Sequence, residues 1–300
     1  MSDFEFFLQQ FINSISLGSI YALVALGYTM VYGIVGLINF AHGDILMIGA
    51  YTGYFVMSSY GTSPFCFILG FVAAMTVCGI TGILIERFAY KPLRSAPRLN
   101  SLITAIAVSL LIQNGARVLP FIGPTPRRFV TLDSYSISIF GNLNISNIQL
   151  IVILVSIILM ILLTYIIQGT KTGRAMRAVS FDLQAASLMG ISVNKIVAFT
   201  FALGSVLAAA GGILYASAYP QITPTMGSTP GLKAFIAAVL GGIGSVPGAM
   251  VGGYILGLAE TMAKAYLSSR FSDAISFTLL IIILLVRPNG ILGKKIRVKV

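Results

Sequence analysis

Three polar residues, Asn39, His42 and Asp44, stand close together in an otherwise apolar stretch, and His42 is the only histidine in the chain. An amide, an imidazole and a carboxylate so placed could line or gate a path for a polar molecule. A local role is equally available. Asp44 can N-cap a helix starting at Ile45, with His42 in the preceding turn, and the two roles are compatible. Gly43 beside them permits close backbone approach. A second glycine-rich run, Gly241-Gly242-Ile243-Gly244-Ser245-Val246-Pro247-Gly248, offers the same at Gly242, Gly244 and Gly248, with Ser245 as its hydroxyl. This run does not fit a dinucleotide loop: Pro247 stands where the third glycine belongs, and no second strand ending in an acid follows. The chain contains no Gly-rich phosphate loop ending in Gly-Lys-Ser/Thr, and no nucleophile elbow accompanies the single histidine. Cys66 and Cys78 lack metal-ligand spacing and read as buried small apolar side chains. The chain is therefore not read as an enzyme, and no cofactor or metal is expected.

A third stretch of interest is the 169–195 loop. Ser180 can N-cap a short helix, Asp182 in its first turn suits the positive helix end, and Gly190 suits the position that terminates it. Leu183, Ala186 and Gly190 share one face, and Ala185 and Ala186 are small enough for close approach. Such a helix could dock in a partner's groove. It could also be an ordinary basic loop.

The elements that must position these residues are membrane spans. Of the 300 residues, 57% are hydrophobic and only 9% charged, and the mean hydropathy is +0.95. Soluble domains carry roughly 25% charge, so a water-surrounded globule is excluded. Eight apolar segments stand out, near 11–37, 43–59, 65–85, 100–119, 148–168, 196–217, 232–258 and 265–286. The fold class is all-α: one polytopic membrane domain over residues 1–300, with seven to ten spans. Broken half-helices are expected near 43–59 and 232–258. Non-helical backbone at that depth is tolerated only inside protein or beside an aqueous path. Leu17-Gly18-Ser19 recurs as Leu203-Gly204-Ser205, a weak sign of internal duplication.

The net charge of +11 suggests nucleic acid until the charges are placed. No Lys or Arg precedes Arg87. Three clusters hold 13 of the 19 bases: Arg87, Lys91, Arg94 and Arg98; Lys171, Arg174, Arg177 and Lys195; Arg287, Lys294, Lys295, Arg297 and Lys299. The positive-inside rule predicts all three, and so the C-terminus, to be cytoplasmic. Loop 120–147 is then external. Parity requires 232–258 to cross twice or not at all, hence two short half-helices broken at the glycines, entering and leaving from the same side or packed as a tight hairpin. It leaves the N-terminal side open: three spans before Arg87 would put it outside, and a partial crossing at 43–59 would reverse that. Few ionisable groups fall within the spans, which argues against a proton- or sodium-coupled carrier.

Beyond these readings, Gln184-Ala185-Ala186-Ser187-Leu188-Met189-Gly190 resembles the E-A-A-x-x-x-G coupling loop of ABC-importer permeases, with Gln184 in place of the glutamate. The segments Gly36–Asp44 and Leu240–Gly253 resemble signatures of branched-chain amino-acid permeases, and the LivH-type subunit of that family fits best. This resemblance spans nearly the whole chain. It implies a permease subunit of an ATP-driven importer in a bacterial inner membrane, carrying leucine, isoleucine or valine inward. It also implies ATP-binding cassette subunits, a second homologous permease and a periplasmic amino-acid-binding protein as partners, and no nucleic acid. Urea or short amides are the alternative substrates, and a free-standing carrier or channel is the alternative class. The coupling residues implied are Ser180, Asp182, Leu183, Gln184, Ala185, Ala186 and Gly190. The pathway residues expected are Asn39, His42, Gly43, Asp44, Gly242, Gly244, Ser245 and Gly248.

Overall fold

The computed structural model describes residues 2–94, 96–140 and 143–293, so Lys294, Lys295, Arg297 and Lys299 lie outside it. The chain is a polytopic all-α bundle. Its helices are α1 (Asp3–Val35), α2 (His42–Tyr60), α3 (Pro64–Ile85), α4 (Arg98–Val118), α5 (Asn147–Gly169), α6 (Lys171–Phe181), α7 (Leu183–Leu188), α8 (Val193–Ala218), α9 (Ser228–Gly241), α10 (Val246–Tyr266) and α11 (Phe271–Val286). Two short antiparallel ladders pair β1 (Arg127–Arg128) with β4 (Gln221–Ile222) and β2 (Ser136–Phe140) with β3 (Leu143–Ser146).

Local chemistry sets the helix ends. Ser2 and Glu5 form a capping box at the start of α1, and Ser146 and Gln149 form another at the start of α5. Ser63 caps α3 with Pro64 in its first turn, and Ser245 caps α10 ahead of Pro247. Among the described residues, five helices are long and apolar enough to cross a membrane: α1, α3 with its extension to Leu93, α4 from Leu99, α5 and α8. Burial distinguishes their positions. The apolar window of α1 is 83% buried and that of α4 only 17%, so α1 is the axle and α4 lies at the periphery.

Helix pairing reveals an internal repeat. α1 packs on α9 and α10, α8 packs on α2 and α3, and the pairs α2–α3 and α9–α10 pack within themselves. This is the pattern of two three-helix units, α1–α3 and α8–α10, that have exchanged their first helices. Gly27 of α1 meets Gly204 of α8, and Val24 meets Gly211, so the exchanged helices run antiparallel and the repeat is inverted. The recurring Leu-Gly-Ser occupies matching places. Ser19 Oγ lies 3.1 Å from Tyr254 Oη on α10, and Ser205 Oγ lies against Gly82 of α3.

The two ends of the bundle are chemically distinct. At one end, Gln9 and Asn144 exchange two hydrogen bonds (2.8 and 3.0 Å), and Gln149 donates to Asn13 (2.9 Å). The start of α1 therefore sits with the 120–147 loop, as three spans before Arg87 require. At the other end, Arg94 donates to Asn194 (2.7 Å), bringing the first two basic clusters together. Ile291 and Leu292 donate to the carbonyls of Leu240 and Gly241, and Gly244 lies against Gly33 near the end of α1. Segment 232–258 is the expected hairpin, broken at residues 242–245. Only α9, with 14 residues, is a half-helix, because α10 runs 21 residues from one end of the bundle to the other.

Candidate functional site

Gly36, at φ +69°, ends α1, and residues 37–41 then turn back into the bundle instead of leaving it. Asn39 holds this return. Its Oδ1 accepts hydrogen bonds from the Ala41 amide and the Tyr90 hydroxyl, both 3.1 Å. Helix α2 thus starts deep inside, where the His42 ring packs on Gly27 and meets the Tyr28 ring at 60°, with centroids 4.5 Å apart. Helix α9, the corresponding element of the other repeat, also starts inside. The two N-termini meet at Gly43 and Gly227, where a Cβ on either residue would overlap the other's carbonyl. Glycine at both positions is what allows the junction.

A cavity of about 280 Å³ opens beside this junction, lined on its far side by α4. Gly43 and Asp44 line it. Asn39 and His42 do not, so the polar trio divides into two anchors and one cavity carboxylate. Asp44 is not a helix cap: α2 begins at His42 behind Ala41, with no side-chain cap, which places the carboxylate in the first turn. Its Oδ1 accepts from Gln113 Nε2 (2.9 Å), which also approaches the hydroxyls of Ser109 and Ser228 (3.2 and 3.3 Å). Its Oδ2 has no partner among the described residues, although Asp44 is 2% exposed. Tyr28, Phe40, Leu110, Leu232 and Phe235 supply the apolar wall.

The glycine-rich turn lies elsewhere. Gly242 (φ +106°) and Gly244 (φ +90°) make the reversal between α9 and α10, Ser245 accepts from the Gly248 amide (3.2 Å), and Gly248 packs on Gly241. These four residues sit at the C-terminal end of α9, the length of a 14-residue helix (about 21 Å) from its start. The structure therefore does not join them to Asp44. They serve a turn and a tight helix crossing.

In the 169–195 loop, α6 extends to Phe181, so Ser180 is its last turn and donates to the Arg177 carbonyl (2.8 Å). The cap of α7 is Asp182, whose Oδ1 accepts from the amides of Gln184 and Ala185 (2.8 and 2.9 Å). Gly190 follows the helix at φ +81°, in the terminating role expected of it. Ala186 is buried against its own chain and Ala185 is exposed. The outward apolar face is made instead by Phe181 (94% exposed), Leu188 (89%) and Met189 (83%), with Leu183 beside them.

A second polar cluster went unread in the sequence. Lys233 of α9 and Glu260 of α10, both buried, pair at 2.8 Å. Glu260 also receives Lys264 (2.6 Å) and the Tyr21 hydroxyl (2.8 Å), and Lys233 reaches Asp273 of α11 (2.7 Å). Each half ties its second helix to the helix that packs beside the unit, at different positions along it. Gln113 of α4 ties to Asp44 of α2, and Asp273 of α11 ties to Lys233 of α9. The available signal was a lone base and a lone acid in or beside the segment read as 232–258. Ser109 and Gln113, four apart in α4, were a similar unused signal. Ionisable groups at depth are thus more numerous than the apolar segments suggest, but in this cluster each charge has a partner.

Comparison with known proteins places these features in context. Residues 10–284 match the family described as branched-chain amino acid transport system / permease component. The chain is 44% identical to the high-affinity branched-chain amino acid transport system permease protein LivH of Escherichia coli K12, over 97% of each chain. It is 41% identical to the corresponding permease BraD of Pseudomonas aeruginosa, over 98% of each. A probable LivH permease from Methanocaldococcus jannaschii is 32% identical, over 94% of this chain and 91% of its own. No solved structure matches.

Proposed function

Because the chain belongs to the family of branched-chain amino acid transport system permease components, we propose that it is the membrane subunit through which an ABC importer moves leucine, isoleucine and valine into the cytoplasm. It hydrolyses nothing itself. ATP is consumed by cassette subunits docked on the basic end, and the opposite end, which carries the start of α1 and the 120–147 loop, faces the periplasm and receives a binding protein. A second, homologous permease completes the membrane unit in a bacterial inner membrane.

The observation that carries this reading is the exposed α7 tip. Phe181, Leu188 and Met189 present three large apolar side chains outside the bundle, at the end where the bases Arg94 and Lys195 gather. An apolar face in water beside cytoplasmic bases calls for a protein groove. Gln184 cannot supply the charge of a glutamate at its position, so contact at α7 rests on apolar packing and helix ends. The substrate is tested by uptake of labelled leucine, urea and a short amide in cells with and without the gene. Loss of leucine uptake alone is the expected result; loss of urea or amide uptake with leucine unaffected would refute the assignment.

A further inference from the structure

The α2–α9 cavity contains a carboxylate oxygen that no described residue satisfies. Asp44 Oδ1 is held by Gln113, which fixes the carboxylate's plane, while Oδ2 is buried without a donor. A buried acceptor is unfavourable unless something donates to it. No lysine or arginine lines the cavity. The donors at hand are the Ser109 hydroxyl, which lines the same cavity, and whatever the cavity binds.

Charge balance specifies the ligand further. A helix N-terminus carries about +0.5 of an elementary charge, so two converging N-termini offset one carboxylate almost completely. The first turn of α9 has no side-chain cap to use up its positive end. The cavity is thus near neutral overall, with negative charge at Asp44 and positive potential at the start of α9. A zwitterion has the complementary separation. Phe40, Leu110, Leu232 and Phe235 leave an aliphatic side chain an apolar surface, and about 280 Å³ suits a single amino acid rather than a peptide.

We propose that Asp44 binds the α-ammonium group of a zwitterionic amino acid held in the cavity between the N-termini of α2 and α9. The start of α9 faces its carboxylate, and the apolar wall takes its side chain. This inference rests on the transport reading above and names the substrate-contacting group within it.

The test is equilibrium binding of tritiated leucine to the assembled importer in lipid nanodiscs, without the periplasmic protein. Competition by isopentylamine, which keeps the ammonium, and by 4-methylpentanoate, which lacks it, identifies the group recognised. Isopentylamine should compete and 4-methylpentanoate should not. Asp44→Asn should weaken leucine binding roughly tenfold or more, as loss of a charge-assisted contact requires. Leu232→Trp, which places an indole in the cavity, should also abolish binding. Undiminished binding in Asp44→Asn, competition by 4-methylpentanoate equal to that of isopentylamine, or no leucine binding to the wild type would each overturn the proposal. Leucine uptake by the wild-type importer is scored separately. If uptake is robust while Asp44→Asn binds normally, only this inference falls.

Discussion

Replacing Leu188 and Met189 together by aspartate is expected to abolish ATP-driven uptake while leaving the amount of chain in the membrane unchanged. Both side chains are almost fully exposed (89% and 83%), so neither contributes to the packing of the isolated subunit. Helix α7 is held by other means: the Asp182 cap, the Gly190 terminus and the inward Ala186. Charge introduced on the outer face therefore acts chiefly on a docked partner, with a smaller effect on the α7 C-terminus. Burying two new carboxylates against an apolar groove costs several kcal/mol, and each ~1.4 kcal/mol is tenfold in affinity. Uptake should fall by roughly a hundredfold, with ATP hydrolysis by the cassette subunits no longer responsive to substrate. Full uptake in the double variant would remove α7 from the coupling path.

The second large effect is on stability. Glu260→Leu should destabilise the purified chain by about 3–5 kcal/mol, because it strands a buried cation that had been paired. The lower end of that range applies: Lys233 keeps Asp273 at 2.7 Å, although that partner is mostly exposed. Tyr21 loses its acceptor as well. Adding Lys233→Met to Glu260→Leu should recover most of the loss, since an apolar pair can occupy the space of an ion pair without desolvating charge. Unfolding of Glu260→Leu, Lys233→Met and the double variant in detergent, compared with the parent chain as a double-mutant cycle, reads the coupling directly. Additive losses would mean that the pair does not act as a unit.

Much of the fold was legible because lipid imposes simple rules. Segments without charge had to become helices, and the base clusters had to share an end; Arg94 and Asn194 meet accordingly. Parity also led to the α9–α10 hairpin before any geometry was known. What escaped was relational. Asp44 looked like a cap from its neighbours, but α2 starts two residues before it, because Asn39 and Tyr90 pull the preceding chain inward. Nothing local announces that Gln113, on another helix, will meet the carboxylate.

The same holds for the rest of the site. The glycines at 242, 244 and 248 offer the same close backbone approach as Gly43, but a whole helix separates them from Asp44. Ser180 does not cap, because α6 runs on to Phe181 and Asp182 takes the cap of α7. The Leu-Gly-Ser recurrence was a faint trace of the inverted repeat, since membrane helices preserve packing more through small residue size than through identity. Pairing of α1 with α10 and of α8 with α3 makes the repeat evident where the sequence does not.

The central claim is that this chain carries substrate only when ATP-hydrolysing partners drive it. Reconstitution into liposomes tests this most directly, comparing labelled leucine uptake by the chain with its permease partner against uptake by the full set with cassette subunits, binding protein and ATP. Uptake confined to the full set, and lost when ATP is withheld, is the predicted result. Leucine accumulation by the membrane subunits without any ATPase would contradict it.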